Sequence, residues 1–335
     1  MMGTSVEIKI YNGYGHSKNL VVYGHVLNRK PKKTNDFSNN GWKHTFSLLK
    51  LFLVRPIGGV RLRLQFYNQI IETIAEPDGF FKFKWASNTH LDPGLHDLKI
   101  GLMGVDGKYG FTQGKVYVPH STQYVFVSDI DDTVLISHSA TVLRRLRELL
   151  VKNAHRRRLF SDNVIWYNLL SRSGTRTREG LNPFFYVSSS EWNLYDYLQR
   201  IFAYNKLPHG SFLLSHFKRW FDFFKTGKTG HEDKYRRISR LLRVFPKQKF
   251  VLIGDNSQRD PIIYAALAND YPDRIMAIYI RDIKHKKAAM TLQLFKNFQE
   301  TGIQTCLFNT NREAIEHSIS IGLIKEADVL ELTGF

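Results

Sequence analysis

"YVFVSDIDDTVLIS", residues 124–137, begins as a short apolar run and then sets Asp129, Asp131 and Asp132 within four positions. An apolar run of that length predicts a strand buried on both faces. Carboxylates this close repel one another, and one pKa rises unless a cation sits among them. Asp129 and Asp131 stand two apart in extended chain, which sends both side chains the same way. Two roles become available: an ionised nucleophile or ligand, and an acid that donates a proton. A calcium loop does not fit. Its pattern needs Gly at the sixth position and Glu at the twelfth, where Val134 and Ala140 stand, counted from Asp129. A glycosidase flanks its sugar with carboxylates that normally come from different segments. The cluster points instead to Mg²⁺ or phosphate chemistry.

From residue 121 onward, apolar strands alternate with helical periodicity. "YVFVSD", "FFYVSS", "KFVLIGD", "IMAIYIRD" and "TCLFN" read as strands. "LRRLRELLVK", "WNLYDYLQRIF", "KYRRISRLLRVF", "IIYAALAND", "AAMTLQLFKNFQ" and "REAIEHSISIGL" read as helices. This alternation predicts a parallel sheet in an α/β domain over 121–335. Ligands bind at the carboxyl ends of such strands, which singles out Asp129, Ser188, Asp255 and Asp282. Residues 140–182, with "NAHRRRLFSDN" and "SRSGTRTREG", read as a basic insertion, either a lid over that edge or a surface excursion.

Residues 1–120 follow another grammar. Short runs such as "VEIKIY", "GVRLRLQFY" and "GFFKFKW" are separated by turn residues, among them Asn12-Gly13, Asp78-Gly79, Asp92-Pro93-Gly94 and Asp106-Gly107. Spaced strands with such turns predict an antiparallel β-sandwich. "NRKPKKTNDFSNNG", residues 28–41, reads as a polar, basic loop.

The chain carries a formal net charge of +18 over 335 residues. Residues 1–120 hold 16 Lys and Arg against 8 Asp and Glu, a net of +8; the rest hold 32 against 22, a net of +10. An excess spread over both parts favours polyanionic partners such as phosphoesters or an anionic membrane surface. The single cysteine, Cys306, excludes an intramolecular disulfide and a cysteine-based metal site. The N-terminal stretch lacks the basic-then-apolar layout of a signal peptide, and no run approaches the roughly 18–20 apolar residues of a membrane span. A cytoplasmic protein, with peripheral contact to membranes, is expected.

Three further segments carry candidate chemistry. "FVLIGDNSQRD" (250–260) ends a buried strand in Gly254-Asp255, with Asp260 five residues on. Asp255 is a candidate oxygen ligand for a hard cation, and Gly254 permits an unusual turn or the close approach of a ligand. Asp260, followed by Pro261, reads either as a helix N-cap or as support for the metal. Lys234 opens the helix marked by Tyr235, Ile238, Leu241, Leu242 and Phe245; a cation in the first turn opposes the helix dipole and suggests an anion nearby. Ser188, at a strand end before a helix, is a candidate donor to a phosphate oxygen.

In chain order these read Asp-x-Asp-x-Thr, Ser, Lys and Gly-Asp-x-x-x-x-Asp, a pattern that resembles the haloacid dehalogenase superfamily over 124 to about 283. The resemblance implies a Rossmann-like parallel sheet of that type, here preceded by the β-sandwich domain. It implies that Asp129 is a nucleophile forming an aspartyl-phosphate, and that Asp131 protonates the leaving alkoxide and then deprotonates water. Thr133 would brace the loop, while Ser188 and Lys234 hold the phosphoryl group. Asp129, Asp255 and the backbone carbonyl of Asp131 would hold Mg²⁺. "VVYGHVL", "SDIDDTV", "FFYVSSSEWNLYDYL", "LPHGSFLL" and "FPKQKFVLIGDNSQRDPIIYAALANDYPDRIMAIYIRDI" look more closely like the phosphatidate phosphatase family named after an actin patch protein. That likeness implies removal of phosphate from phosphatidate, giving diacylglycerol. "FLLSHFKRWFDFF" (212–224) is then a membrane-contact candidate against ordinary core packing. The alternatives are a phosphatase of a soluble phosphomonoester or nucleic-acid end, and a non-catalytic polyanion-binding protein; specific nucleic-acid binding is not expected.

Overall fold

A computed structural model describes residues 6–28, 56–103, 110–120, 124–130, 154–174, 180–215 and 229–333. The chain divides into two compact units, Met1–His120 and Ser121–Phe335.

The first unit contains β1 (Glu7–Ile10), β2 (Gly13–His16), β3 (Asn19–Leu27), β4 (Arg61–Phe66), β5 (Gln69–Ile74), β6 (Phe80–Trp85), β7 (Gly94–Leu102) and β8 (Phe111–Val118). They pair in the order β1-β3-β2-β8-β7-β4-β5, with β6 added on β3. β1 and β2 run end to end along one edge of β3, and β6 takes the other. Asn12-Gly13 is therefore a break within one edge rather than a hairpin; the reversal falls at Ser17 and Lys18, between paired His16 and Asn19. The pairing is antiparallel except between β2 and β8, which run parallel. Alternation sorts the side chains: in β6, Phe81, Phe83 and Trp85 are buried while Lys82 and Lys84 face water. Leu20, Val22, Leu62, Leu64 and Ile100 join those aromatics in one core. Asp106-Gly107, most of 28–41 and the helix expected at "LRRLRELLVK" (143–152) lie outside the described residues.

The second unit runs β9 (Val125–Asp129), α1 (Ala154–Arg172), β10 (Phe184–Glu191), α2 (Tyr195–Tyr204), β11 (Gly210–Ser215), α3 (Thr229–Val244), β12 (Phe250–Asp255), α4 (Asp260–Asp270), β13 (Ile275–Arg281), α5 (Ala288–Lys296), β14 (Gln304–Phe308), α6 (Asn311–Ser320) and α7 (Glu326–Thr333). Six strands form one sheet in the order β11-β10-β9-β12-β13-β14, and every pair is parallel. Every residue of β9 and β12 is buried, as expected of central strands covered by helices on both faces. The order reverses between β9 and β12, the topological switch at which doubly wound sheets bind ligands.

Three elements depart from the sequence reading. Residues 154–172, inside the presumed insertion, form α1, and Trp166, Tyr167, Leu169 and Leu170 are buried. Trp166 meets Tyr279 and Phe308 edge-on and donates to Ser318 Oγ at 3.2 Å. This part is a layer of the domain rather than a loose excursion. "GSFLLS" is the edge strand β11, with Phe212 stacked on Tyr186, so the start of the membrane-contact candidate is core; residues 216–224 lie outside the described residues. Finally, α7 adds a closing helix that weak patterning had concealed. Among the described residues no helix is long and apolar enough to cross a membrane.

Candidate active site

The switch point sets two carboxylates side by side. β9 and β12 pair through Ser128 and Ile253, so Asp129 and Asp255 leave the sheet at adjacent strand ends. Val187 pairs with Asp129 in β10, and Ser188 follows it at the same edge. The helices bring two more groups. Lys234 Nζ, on α3, donates to Asp129 Oδ1 at 2.6 Å and to Asp260 Oδ1 at 2.5 Å. Asp129, Asp255 and Asp260 each present an oxygen within 4.8 Å of the others, and all three are buried.

Lys234 is nearly buried, its side chain 12% exposed. Burial alone would lower its pKa; the Asp129 and Asp260 carboxylates outweigh that and hold it well above the usual lysine value, fully charged. Asp260 shows the opposite balance. Burial pushes its carboxyl up to about 6 although Lys234 pulls it down, and Asp255 adds to the rise. One ammonium thus serves two carboxylates, and a third adds negative charge that Lys234 does not contact directly. Such a cluster favours a further cation.

The surroundings fix these groups. Ser128 Oγ donates to the Asp129 carbonyl at 2.9 Å and meets Tyr167 Oη of α1 at 2.8 Å. Asp255 Oδ1 accepts from the Ser257 amide at 2.6 Å. Tyr264 Oη donates to the Ile253 carbonyl at 3.0 Å, which seats α4 on β12, and the Lys234 ammonium lies 5.8 Å from the Tyr264 ring centre. A Cβ on Gly254 would stand 2.5 Å from Asp260 Oδ2 and 2.9 Å from Asp260 Cβ. Gly254 therefore admits a neighbouring carboxylate, where the sequence suggested a turn or a ligand. Asn256 Nδ2 donates to Asp282 Oδ1 at 2.5 Å, and its Oδ1 accepts from the amides of Ile283 and Lys284, tying the β12 and β13 ends together.

The structure brings Asp129, Lys234, Asp255 and Asp260 together, with Ser188 at the neighbouring strand end. Asp131 and Thr133 lie outside the described residues, as does Asp132. Two local readings change. α3 begins at Thr229, so Lys234 is in the second turn, not the first; carboxylates rather than a broken dipole rule explain its setting. Asp260 is inside α4, whose N-cap is Arg259 and whose cap has no side-chain hydrogen bond; its carboxylate is committed to Lys234 instead. Tyr167, Asn256 and Arg237 were missed. Arg237 was within reach of sequence reasoning, since the Asp233-to-Arg237 spacing on a helix predicts an ion pair beside Lys234. Tyr167 and Asn256 carry no such local signal.

Residues 124–282 match a family model described as phosphatidate phosphatase APP1, catalytic domain. A curated relative, phosphatidate phosphatase APP1 of Saccharomyces cerevisiae, is 31% identical over 159 residues, 46% of this chain and 25% of that one. An uncharacterized protein of Schizosaccharomyces pombe is 29% identical over 169 residues, 47% of this chain and 25% of its own. The chain thus covers a quarter of the length of each of these relatives. Among solved structures, a carbohydrate acetylesterase from Xanthomonas citri aligns over 95% of this chain and 75% of its own, at 9% identity and a TM-score of 0.33, too low to bear on the fold.

Proposed function

We propose, from the match of residues 124–282 to the catalytic-domain family model of phosphatidate phosphatase APP1, that this chain is a Mg²⁺-dependent phosphatase of phosphatidate or a related lipid phosphate, releasing diacylglycerol and phosphate. The catalytic unit is a haloacid-dehalogenase-type domain over 121–335, and 1–120 is a β-sandwich-like companion without chemistry of its own. The observation that carries the reading is the Lys234 ammonium between the buried carboxylates of Asp129 and Asp260 at the switch point.

The residues fit a hard divalent cation. Asp129, Asp255 and Asp260 offer three buried oxygens, and Asp260 Oδ2 is buried with no hydrogen-bond partner. Asp129 and Asp255, with the backbone carbonyl of Asp131, would hold Mg²⁺, and Asp260 would support them. When bound, Mg²⁺ supplies positive charge to the phosphoryl oxygens.

This chain's own groups supply the rest. An Asp129 carboxylate oxygen attacks phosphorus, forming an acyl-phosphate bond as the bond to the lipid oxygen breaks. Asp131 gives its proton to that alkoxide. Water then attacks the acyl phosphate and yields its proton to Asp131, restoring Asp129 and freeing phosphate. Dividing a slow hydrolysis into two displacements lowers each barrier. Lys234 and Ser188 steady the charge on the equatorial oxygens.

Phosphate release from detergent-dispersed phosphatidate, from soluble esters and from phosphorylated oligonucleotides, with and without Mg²⁺, tests the reading. Asp129→Asn is expected to lose at least about 10³-fold on phosphatidate. Equal rates in mutant and wild type would remove Asp129 as nucleophile. Turnover of a soluble ester with phosphatidate untouched would remove the lipid substrate.

A further inference from the structure

β10 does not pair with β11 along its whole length. The ladder runs from Phe184 and Gly210 to Val187 and Leu213, then breaks and resumes only at Glu191 and Ser215. Three residues of β10, 188–190, thus stand opposite one residue of β11. A bulge of this kind bends a strand end and re-aims its side chains, and bulges gather beside active sites. It also withdraws main-chain carbonyls from the ladder, and each then needs another donor.

Arg237 supplies those donors. Its Nη1 donates to the Ser188 carbonyl at 2.8 Å and to the Leu213 carbonyl at 2.7 Å, bridging both strands where the ladder opens. Its Nη2 donates to Asp233 Oδ2 at 2.7 Å, one turn back on α3. The side chain is 17% exposed, so the fork is held largely out of water. Lys234 lies on the same helix, three residues before Arg237. α3 therefore touches the site at two points: Lys234 on the carboxylates of β9 and α4, and Arg237 on the strand end that carries Ser188.

We propose that Arg237 is a positioning residue, which holds the bulged end of β10 so that Ser188 faces the same phosphoryl group as Lys234. Its planar fork reaches two carbonyls and a carboxylate at once, which a lysine ammonium matches poorly. Arg237 touches no reacting atom and acts through Ser188. This rests on the phosphatase reading for its consequence, although the structural claim stands apart from it.

A double-mutant cycle on the full chain tests the proposal. Arg237→Met is expected to lower kcat on dispersed phosphatidate by about 10–100-fold with little change in KM. In the Ser188→Ala background the same substitution should cost less than about 2-fold, because the group it positions is gone. Asp233→Asn, a milder change that frees the fork from its anchor, should give a smaller loss that vanishes in the same background. Equal losses in both backgrounds would make Arg237 a general stability residue and overturn the proposal. Amide hydrogen exchange separates this from failure of the phosphatase reading. Arg237→Met should speed exchange at residues 188–191 and leave β9 and β12 unchanged; unchanged exchange at 188–191 overturns the proposal whatever the enzyme's substrate.

Discussion

β6 and β12 are both six residues long, and they handle charge in opposite ways. In β6, burial alternates, and Lys82 and Lys84 stand on the wet face beside buried Phe81, Phe83 and Trp85. In β12, every residue from Phe250 to Asp255 is buried. A strand with one solvated face can carry charge at any outward position. A strand covered on both faces can carry it only at its end, where the chain leaves the sheet, and there the charge must find a partner. The basic excess is almost the same in the two parts of the sequence, +8 and +10, so net charge does not distinguish them. Position does: a lysine stands on the exposed face of one strand, and another sits among buried carboxylates at the end of a second.

The largest test removes Lys234. Lys234→Met keeps most of the side chain's volume and deletes the ammonium between Asp129 and Asp260. Breaking a buried ion pair from one side typically costs about 3–5 kcal/mol, because the remaining charge is left uncompensated. Loss of one donor to the reacting group costs about 10²–10³ in kcat. Urea denaturation and phosphate release should register both effects, with Mg²⁺ recovering part of the stability. A variant as stable and as active as wild type would mean that the strand-end charges do not depend on one another.

A smaller effect is expected from Gly254→Ala. The new methyl would fall within 2.5 Å of Asp260 Oδ2 and 2.9 Å of Tyr264 Cε2. Asp260 belongs to α4, which Tyr264 anchors on the Ile253 carbonyl, so the carboxylate must turn from Lys234 or the helix must shift. Overpacking of this kind costs about 1–3 kcal/mol, and a displaced site group costs up to about 10²-fold in rate. If stability fell and kcat did not, Asp260 would be a packing residue and the site would reduce to Asp129, Lys234 and Asp255.

What was legible in the sequence follows the same division. The strand ends were readable because an apolar run that stops at an aspartate is a local signal, as in "FVLIGD". "GFFKFKW" was readable as a strand because its aromatic run follows an Asp-Gly turn, again a local signal. Asp260 was half-legible: Pro261 after it suggested a cap, and only the fold reveals that its carboxylate reaches a lysine 26 residues away. The helical packing of 154–172 was hidden by the run of arginines at its start, although Trp166 and Tyr167 make its buried face. The Ser128–Tyr167 contact spans 39 residues and the Arg237–Ser188 contact 49, distances over which no periodicity speaks. β11 was obscured because its apolar core is only "FLL", a length shared by helices and loops.

The smallest effect is the control that makes the comparison quantitative. Lys82→Ser removes one positive charge from β6, as Lys234→Met removes one from α3. Lys82 is exposed and pairs across the ladder with Tyr23, on a face that water already covers. It stands on the exposed face of the strand, outside the core that Phe81, Phe83 and Trp85 help to form. Surface substitutions of this sort change stability by no more than about 0.5 kcal/mol in either direction. Phosphate release should match wild type, and the urea midpoint should move by less than the Gly254→Ala variant moves it. If Lys82→Ser instead lowered activity on dispersed phosphatidate while leaving stability intact, the wet face of the first unit would be in use with the lipid surface. The distinction between exposed and buried lysines would then be one of partner rather than of burial.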